Sequence, residues 1–212
     1  MNYRHICIAG MVAHHGLRTA HEALGVGAES LSMRLVMMRY LMMELANVAD
    51  LATICGGLYQ EQPDLSELHK PIKKGLEFFK YIRNVYIGHF VQDLADKTFE
   101  WQPFTNALVG SDDDDKQLVA SWFALETAIN TYADPEMGHK IFASDTDLNY
   151  PPDRTRFLNY LRETALGSLA YVARLIQISR TKFETPDVHA DMLDLAKIAG
   201  QTDFNVLTKG KR

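Results

Sequence analysis

One short stretch of the sequence combines residue types that can do chemistry on a phosphodiester. It reads Arg-Asn-Val-Tyr-Ile-Gly-His from Arg83 to His89, within a segment rich in aromatic and β-branched residues. Arginine stays charged and suits phosphate, whereas histidine exchanges a proton near neutral pH. A fixed cation and a proton carrier are the minimum needed to cleave a phosphodiester without a metal. Arg83, Asn84 and His89 are therefore the candidate catalytic residues.

The order of these residues resembles the HEPN superfamily. Its catalytic members carry Arg, a polar residue, three to five further residues and then His, and Arg83-Asn84 with His89 falls in the middle of that range. The stretch 76–96 is most similar to the HEPN domains of abortive-infection and toxin–antitoxin systems. This resemblance implies metal-independent cleavage of RNA by a homodimer, with no cofactor, one cleft formed by the motif helices of both subunits, and an antitoxin protein as a further partner.

The resemblance also implies a role for each residue of the motif. His89 would act as the general acid or base at the ribose 2′-hydroxyl. Arg83 would stabilise negative charge on the scissile phosphate, and Asn84 would orient His89 or hold the phosphate. The products would be a 2′,3′-cyclic phosphate and a 5′-hydroxyl.

The spacing of the motif raises a geometric problem. Residues six apart in a regular α-helix are rotated by ~240° and lie ~9 Å apart along the axis, so Arg83 and His89 would not converge. Gly88 offers one solution, because glycine can end or bend a helix just before His89. A two-fold related copy offers another, since it can supply the opposite member of each pair.

Two interpretations without catalysis stay open at this stage. HEPN-like domains are often non-catalytic, so the chain is alternatively a helical dimerisation or ligand-binding protein. In a purely structural role, Arg83 extends from an aromatic helix to solvent, and His89 interacts favourably with the carboxyl end of that helix.

The overall charge limits how the chain could bind nucleic acid. A formal net charge of -5 argues against sequence-blind binding by the whole surface. A local basic face is compatible with this charge, because five basic residues lie on the motif helix or at its start: Lys70, Lys73, Lys74, Lys80 and Arg83.

Two other groups of residues have some features of metal sites. Three histidines share the first predicted helix: His14, His15 and His21. Arg18 lies among them and opposes a bound cation, so a polar or interface face is the favoured interpretation. Glu136 and His139 have the Glu-x-x-His spacing of di-iron proteins, but this spacing occurs once rather than twice. We therefore predict no bound metal.

Three polar residues lie three apart on the second predicted helix, in otherwise apolar surroundings: Glu44, Asn47 and Asp50. Charged groups are rarely buried unless they are paired. One interpretation is a solvated edge or a salt bridge with Arg34 or Arg39. The other is a polar lining that faces the segment of Arg83.

Helical periodicity dominates the chain, and no strand pattern of convincing length is present. Hydrophobic residues make up 47% of the sequence, which is enough for a full core. The sequence therefore predicts an all-α, HEPN-like bundle of about five or six helices. We expect a single domain over residues 1–212, with a frayed tail from 200 to 212.

The expected helices follow the apolar stripes and the helix-capping residues. They cover 6–24, 30–58, 64–70, 71–88, 117–132, 151–183 and 185–200, with connectors at 90–110 and 133–152. No run approaches the ~18 apolar residues of a membrane span, and two cysteines cannot build a disulfide framework. We expect a cytoplasmic protein in which Cys7 and Cys55 are buried free thiols.

Overall fold

Helices account for most of the computed structural model, which describes residues 1–25, 30–184 and 192–201. Within these ranges the α-helices are α1 (Tyr3–Gly25), α2 (Leu31–Ile54), α3 (Leu58–Glu61), α4 (Pro63–His69), α5 (Lys73–Ile82), α6 (Gln92–Trp101), α7 (Asp114–Asn130), α8 (Pro151–Arg180) and α9 (Met192–Gly200). The predicted all-α class is confirmed, and six of these helices have ten or more residues. In the described part of the chain, every helix is too short or too polar to cross a bilayer.

Three shorter elements complete the described structure. A π-helix spans Arg83–Ile87, and a 3₁₀-helix spans Pro103–Ala107. Two-residue strands, β1 (Ala133–Asp134) and β2 (Gly138–His139), pair antiparallel. Gly138 has φ +78°, a left-handed conformation that glycine adopts at little cost, and it begins β2.

The predicted boundaries were accurate where apolar stripes are long. Helices α1, α2, α7 and α8 lie close to the predicted ranges. The helix expected at 71–88 was wrong in form, because α5 begins at Lys73 and the chain changes to π geometry at Arg83. The connector expected at 90–110 was also wrong, because it contains α6. That helix buries only Leu94 and Thr98, too few residues to give a visible stripe. For the last helix, the expected start at 185 lies outside the described residues.

A continuous apolar core lies between α1, α2, α5, α7 and α8. Its largest fully buried side chains include Phe78 and Phe79 from α5, together with Phe157 and Tyr171 from α8. The predicted buried thiols are also confirmed, since Cys7 and Cys55 are both buried and free. Burial raises the pKa of the Cys55 thiol to about 11, so this cysteine stays protonated and unreactive at neutral pH.

Two glycines allow α5 and its preceding turn to approach α8 closely. An added Cβ at Gly75 would lie 2.5 Å from Oγ1 of Thr164, and a Cβ at Gly167 would collide with the side chain of Ile72. Thr164 cannot easily turn away, because it is buried and its hydroxyl donates a hydrogen bond to the Tyr160 carbonyl (2.8 Å). Because α5 leads directly into Arg83, this close packing sets the position of the motif.

Replacing Gly75 with alanine should therefore destabilise the protein, although alanine has the higher helix propensity. The methyl group overpacks the α5–α8 contact, and we expect a net loss of about 1–3 kcal/mol in the free energy of unfolding. Urea denaturation measures this loss. Gly25→Ala is the matched control, because its methyl group meets no described atom within 4 Å. Equal stability of the two variants would contradict the tight packing.

Candidate active site

The candidate motif coincides with the π-helix. The backbone N–H of Gly88 donates to the carbonyl of Arg83 at 2.7 Å, which closes a turn five residues long instead of four. This wide turn places Gly88 against the stem of Arg83, since a Cβ at Gly88 would lie 3.7 Å from Arg83 Cγ. Helical structure then ends, and His89 follows in irregular backbone. The predicted helix break before His89 is therefore confirmed, and π-turns of this kind are frequent at functional sites.

The Arg83 guanidinium is fixed by two neighbours. Nη1 donates to Asp50 Oδ2 at 2.6 Å, and Nε and Nη2 donate to Asn84 Oδ1 at 3.1 and 3.0 Å. These contacts use three of the five N–H donors of arginine. No other described residue takes the remaining two, and the side chain is still 23% exposed. An anion can therefore approach a cation that is already held in place.

Asp50 is shared by two cations. Its Oδ1 lies 2.6 Å from Lys80 Nζ, and its Oδ2 binds Arg83. Burial on its own would raise the pKa of Asp50, but the hydrogen bonds from Lys80 and Arg83 outweigh that effect and lower the pKa. The carboxylate is thus charged at neutral pH. The sequence-based alternative in which the polar residues of α2 face the Arg83 segment is confirmed for Asp50.

His89 is exposed to solvent, as is Asn84. Among the residues described, neither ring nitrogen of His89 takes part in a hydrogen bond or ion pair. The amide of Asn84 turns its oxygen toward Arg83, and within the described ranges no hydrogen bond links it to His89. Asn84 therefore positions the guanidinium, and the imidazole is reachable from solvent.

Tyr86 anchors the π-helix to the body of the protein. Its ring is buried beneath the Arg39 guanidinium, whose Cζ lies 5.1 Å from the ring centroid, and its hydroxyl donates to the Ser121 carbonyl at 3.0 Å. Burial raises the pKa of this phenol, and the charge of Arg39 opposes the rise. One aromatic side chain thus fixes the turn to α2 and α7, while Asn84 and His89 stay exposed.

Two residues of the predicted basic face line a cleft beside the motif. This cleft has a volume of about 240 Å³, and its lining includes Lys73 and Lys80 of α5, together with His69 and Thr53. Lys80 connects this cleft to Arg83 through Asp50. Lys70 is drawn away, because its ammonium group pairs with Glu67. The cleft also contains the carboxylate of Glu77, and Lys80 is paired with Asp50, so its surface has charges of both signs.

The other two predicted polar residues of α2 behave differently from Asp50. Glu44 is 4% exposed and accepts hydrogen bonds from Asn47 Nδ2 (3.3 Å) and from the Tyr40 hydroxyl. Gly16 on α1 makes room for it, because a Cβ there would lie 2.9 Å from Glu44 Cδ. Burial raises the pKa of Tyr40, and the neighbouring carboxylate adds to the rise. Glu44 is thus a buried, hydrogen-bonded residue of the α1–α2 contact.

His139 is a structural residue, and its pairing with Glu136 as metal ligands is not observed. Its Nδ1 accepts from the backbone N–H groups of Ile141 and Phe142, both at 3.0 Å, so its Nε2 carries the proton and donates to the Ile129 carbonyl at 2.9 Å. Both ring nitrogens are occupied. Across the described ranges, no cluster of three His, Cys, Asp or Glu side chains could hold a metal ion. The histidines of α1 therefore do not form such a cluster either.

A second buried carboxylate, Glu126 on α7, was not predicted from the sequence. It is 4% exposed and accepts hydrogen bonds from Gln102 Nε2 and from the Leu148 N–H (2.7 Å). Burial raises its pKa, and the Leu148 N–H opposes the rise. Its partners are 24 and 22 residues away in the sequence, so no local pattern could have identified the contact. Glu126 joins the 3₁₀ segment and the loop before α8 to α7.

Comparison with known proteins does not extend this description. No protein-family model matches the chain, and no curated protein or solved structure matches it either. The assignment of chemistry to the motif therefore depends on the residues themselves and on the geometry around Arg83.

The role of His139 predicts a specific loss of stability in acid. Burial lowers its pKa in the folded protein, and the hydrogen bond to Ile129 opposes this only partly. A lowered folded-state pKa stabilises the protein above the unfolded value of about 6.5, and this contribution is lost as the pH falls through the folded-state value. His139→Asn keeps an acceptor near Nδ1 but cannot titrate. We expect it to cost about 1–2 kcal/mol at pH 7.5 and less at pH 5.5.

Urea denaturation of both proteins at the two pH values measures this difference. Burial and the charge of Lys73 also lower the pKa of His69. Because His69 is present in both proteins, its contribution to the pH dependence is the same in each and does not affect their difference. His5→Asn serves as the control, because His5 is exposed and only its backbone makes a hydrogen bond. Parallel pH dependence of wild type and His139→Asn would show that His139 does not titrate in the folding equilibrium.

Proposed function

We propose that this protein is a metal-independent endoribonuclease of the HEPN type, acting as a homodimer. The observation that carries the proposal is the π-turn at Arg83–Ile87. It fixes the Arg83 guanidinium against Asp50 and Asn84, leaves two of its donors for an anion, and releases His89 into solvent directly afterwards.

The proposed reaction is a transesterification followed by product release. The ribose 2′-oxygen attacks the adjacent phosphorus while His89 accepts the 2′-hydroxyl proton. Negative charge grows on the non-bridging oxygens, where Arg83 stabilises it. The bond from phosphorus to the 5′-oxygen breaks, and that oxygen takes a proton. The products are a 2′,3′-cyclic phosphate and a 5′-hydroxyl.

Two proton transfers in one reaction favour a dimer. A single exposed imidazole can accept the first proton, and a second His89 from a two-fold related copy would donate a proton to the leaving 5′-oxygen. Phe90, directly after His89, is 53% exposed and is available for a contact with another chain. An apolar contact beside the motif would bring the two copies together. An antitoxin protein that covers the same face is the regulatory partner that the HEPN resemblance implies.

RNA would reach the motif along the neighbouring cleft that Lys73 and Lys80 line. The charges of these two lysines could neutralise phosphates that flank the scissile bond. The net charge of -5 would keep the remainder of the surface from binding RNA indiscriminately. Asp50 would hold Arg83 in position and weaken its attraction for phosphate at the same time. We therefore regard Asp50 as a positioning residue.

Incubation of the purified protein with RNA in excess chelator tests the proposal. We expect cleavage to persist and to give 2′,3′-cyclic phosphate ends. His89→Ala should reduce the rate by roughly 10²–10⁴-fold and Arg83→Ala by roughly 10²–10³-fold. His5→Ala and Arg180→Ala are matched controls of the same residue types, both at exposed positions outside the motif. Thermal unfolding verifies that all four variants are folded.

Three results would overturn this function. Loss of cleavage in chelator would show that a metal is needed, and equal cleavage by His89→Ala and wild type would point to a contaminating nuclease. Products with 3′-hydroxyl ends would exclude attack by the 2′-hydroxyl. The dimer is tested separately by light scattering and by the dependence of the rate per chain on protein concentration.

Asp50→Asn tests the proposed balance between positioning and phosphate binding. The substitution removes a negative charge 2.6 Å from both Lys80 and Arg83 while keeping one oxygen to accept a hydrogen bond. We expect KM for RNA to fall by roughly 3–10-fold at low salt, with a smaller change in kcat, because one further cation becomes available to phosphate. Asp153→Asn removes a carboxylate from another partly exposed ion pair and is the control. An unchanged KM would show that Asp50 does not compete with RNA.

A further inference from the structure

A large cavity lies at the opposite end of α2 from Asp50. It has a volume of about 1190 Å³, is open on one side, and is bordered by the last turns of α1, the first half of α2, and the amino-terminal halves of α7 and α8. Ligand sites for small molecules usually occupy about 300–1,000 Å³. The cavity is therefore large enough for an extended organic molecule, and none of its lining residues belongs to the Arg83 site.

Among the described residues, the charged or titratable groups that line this cavity are all basic. They are Arg34, Arg154 and Arg162, together with His21. Within the same ranges, no aspartate or glutamate lines it. This asymmetry is pronounced in a chain with 27 acidic and 22 basic side chains. The described part of the wall is thus basic on a protein that is acidic overall.

Two of these arginines have charge to offer a ligand. Arg154 and Arg162 lie two helical turns apart on one face of α8, and within the described ranges neither guanidinium forms an ion pair or hydrogen bond. Arg156, on the same helix, contrasts with them. It binds Asp153, Ser144 and the Asp145 carbonyl, so both of its terminal nitrogens are held by the protein.

The remainder of the wall is apolar. Leu24, Met38, Leu41, Trp122 and Leu161 contribute to it from all four helices. Met38, Leu41 and Leu161 are also core residues, so the floor of the cavity is continuous with the hydrophobic core. Apolar walls with a few cationic groups suit a molecule with an aliphatic body and one anionic head.

We propose that this cavity binds an amphipathic anion, with the head group on Arg154 and Arg162 and the aliphatic chain along Trp122 and the leucines. The head group could be a carboxylate or a phosphate ester, because a guanidinium binds either with two parallel hydrogen bonds. The proposal is independent of RNA cleavage, since the two sites share no residue.

Isothermal titration with dodecanoate, kept below its micelle threshold, tests the site on the whole chain. We expect saturable binding at one site per chain, with a change in Trp122 fluorescence. Dodecyl phosphate distinguishes the two head groups. Dodecyltrimethylammonium has the same chain with a cationic head and should bind at least tenfold more weakly, and acetate has the head without the chain and should show no binding.

Matched variants locate the binding in this cavity. Arg154→Gln with Arg162→Gln should weaken dodecanoate binding about tenfold or more, because two charge-assisted hydrogen bonds are lost. Arg180→Gln removes an exposed charge from the far end of α8 and should leave the affinity unchanged. Leu158→Trp fills the rim and should also weaken binding. Absence of saturable binding, equal affinity for the cationic chain, or wild-type affinity in the double variant would each overturn the proposal.

Discussion

The packing of α5 against α2 and α8 is the constraint on which the arrangement around the motif depends. Gly75 and Gly167 allow backbone and side chains to approach closely, and the two phenylalanines of α5 fill the space that results. Because the core holds α5 so firmly, Lys80 and Arg83 emerge at a fixed place beside α2. Asp50 meets both of them there. The Asp50 carboxylate thus links the tightly packed helix α5 to the partly exposed guanidinium of Arg83.

The π-turn resolves a conflict between packing and exposure. Tyr86 is buried and anchors the segment to α7, whereas Asn84 and His89 are exposed. Five residues in the turn, rather than four, allow the outward and inward side chains to separate. The resulting site has few parts: one cation with two donors left, one imidazole, and a cleft nearby that is lined by two lysines.

The sequence predicted the fold class and the long helices because apolar stripes are repeated many times in α2 and α8. It failed where the signal was short or distant. Helix α6 buries two residues, so its stripe was not visible.

Part of the site was also predictable. The helix break before His89 was expected from Gly88, and a position of Asp50 facing Arg83 was one of two alternatives that the sequence left open. The role of Asn84 in holding Arg83 was not anticipated, because side-chain orientation depends on the local turn. The cavity could not be predicted, since four separate helices form it.

The π-turn also affects how the segment would respond to a change in its length. An i→i+5 turn contains one residue more than the α-helical turn that it replaces. Deleting Val85 would convert this turn into an ordinary α-helical turn, in which the Gly88 N–H can still meet the Arg83 carbonyl. The chain on both sides, including His89, could then keep its place, and only the side chains inside the turn would change direction relative to Arg83. The extra residue therefore sets which way Asn84 and Tyr86 point, rather than how far the chain extends.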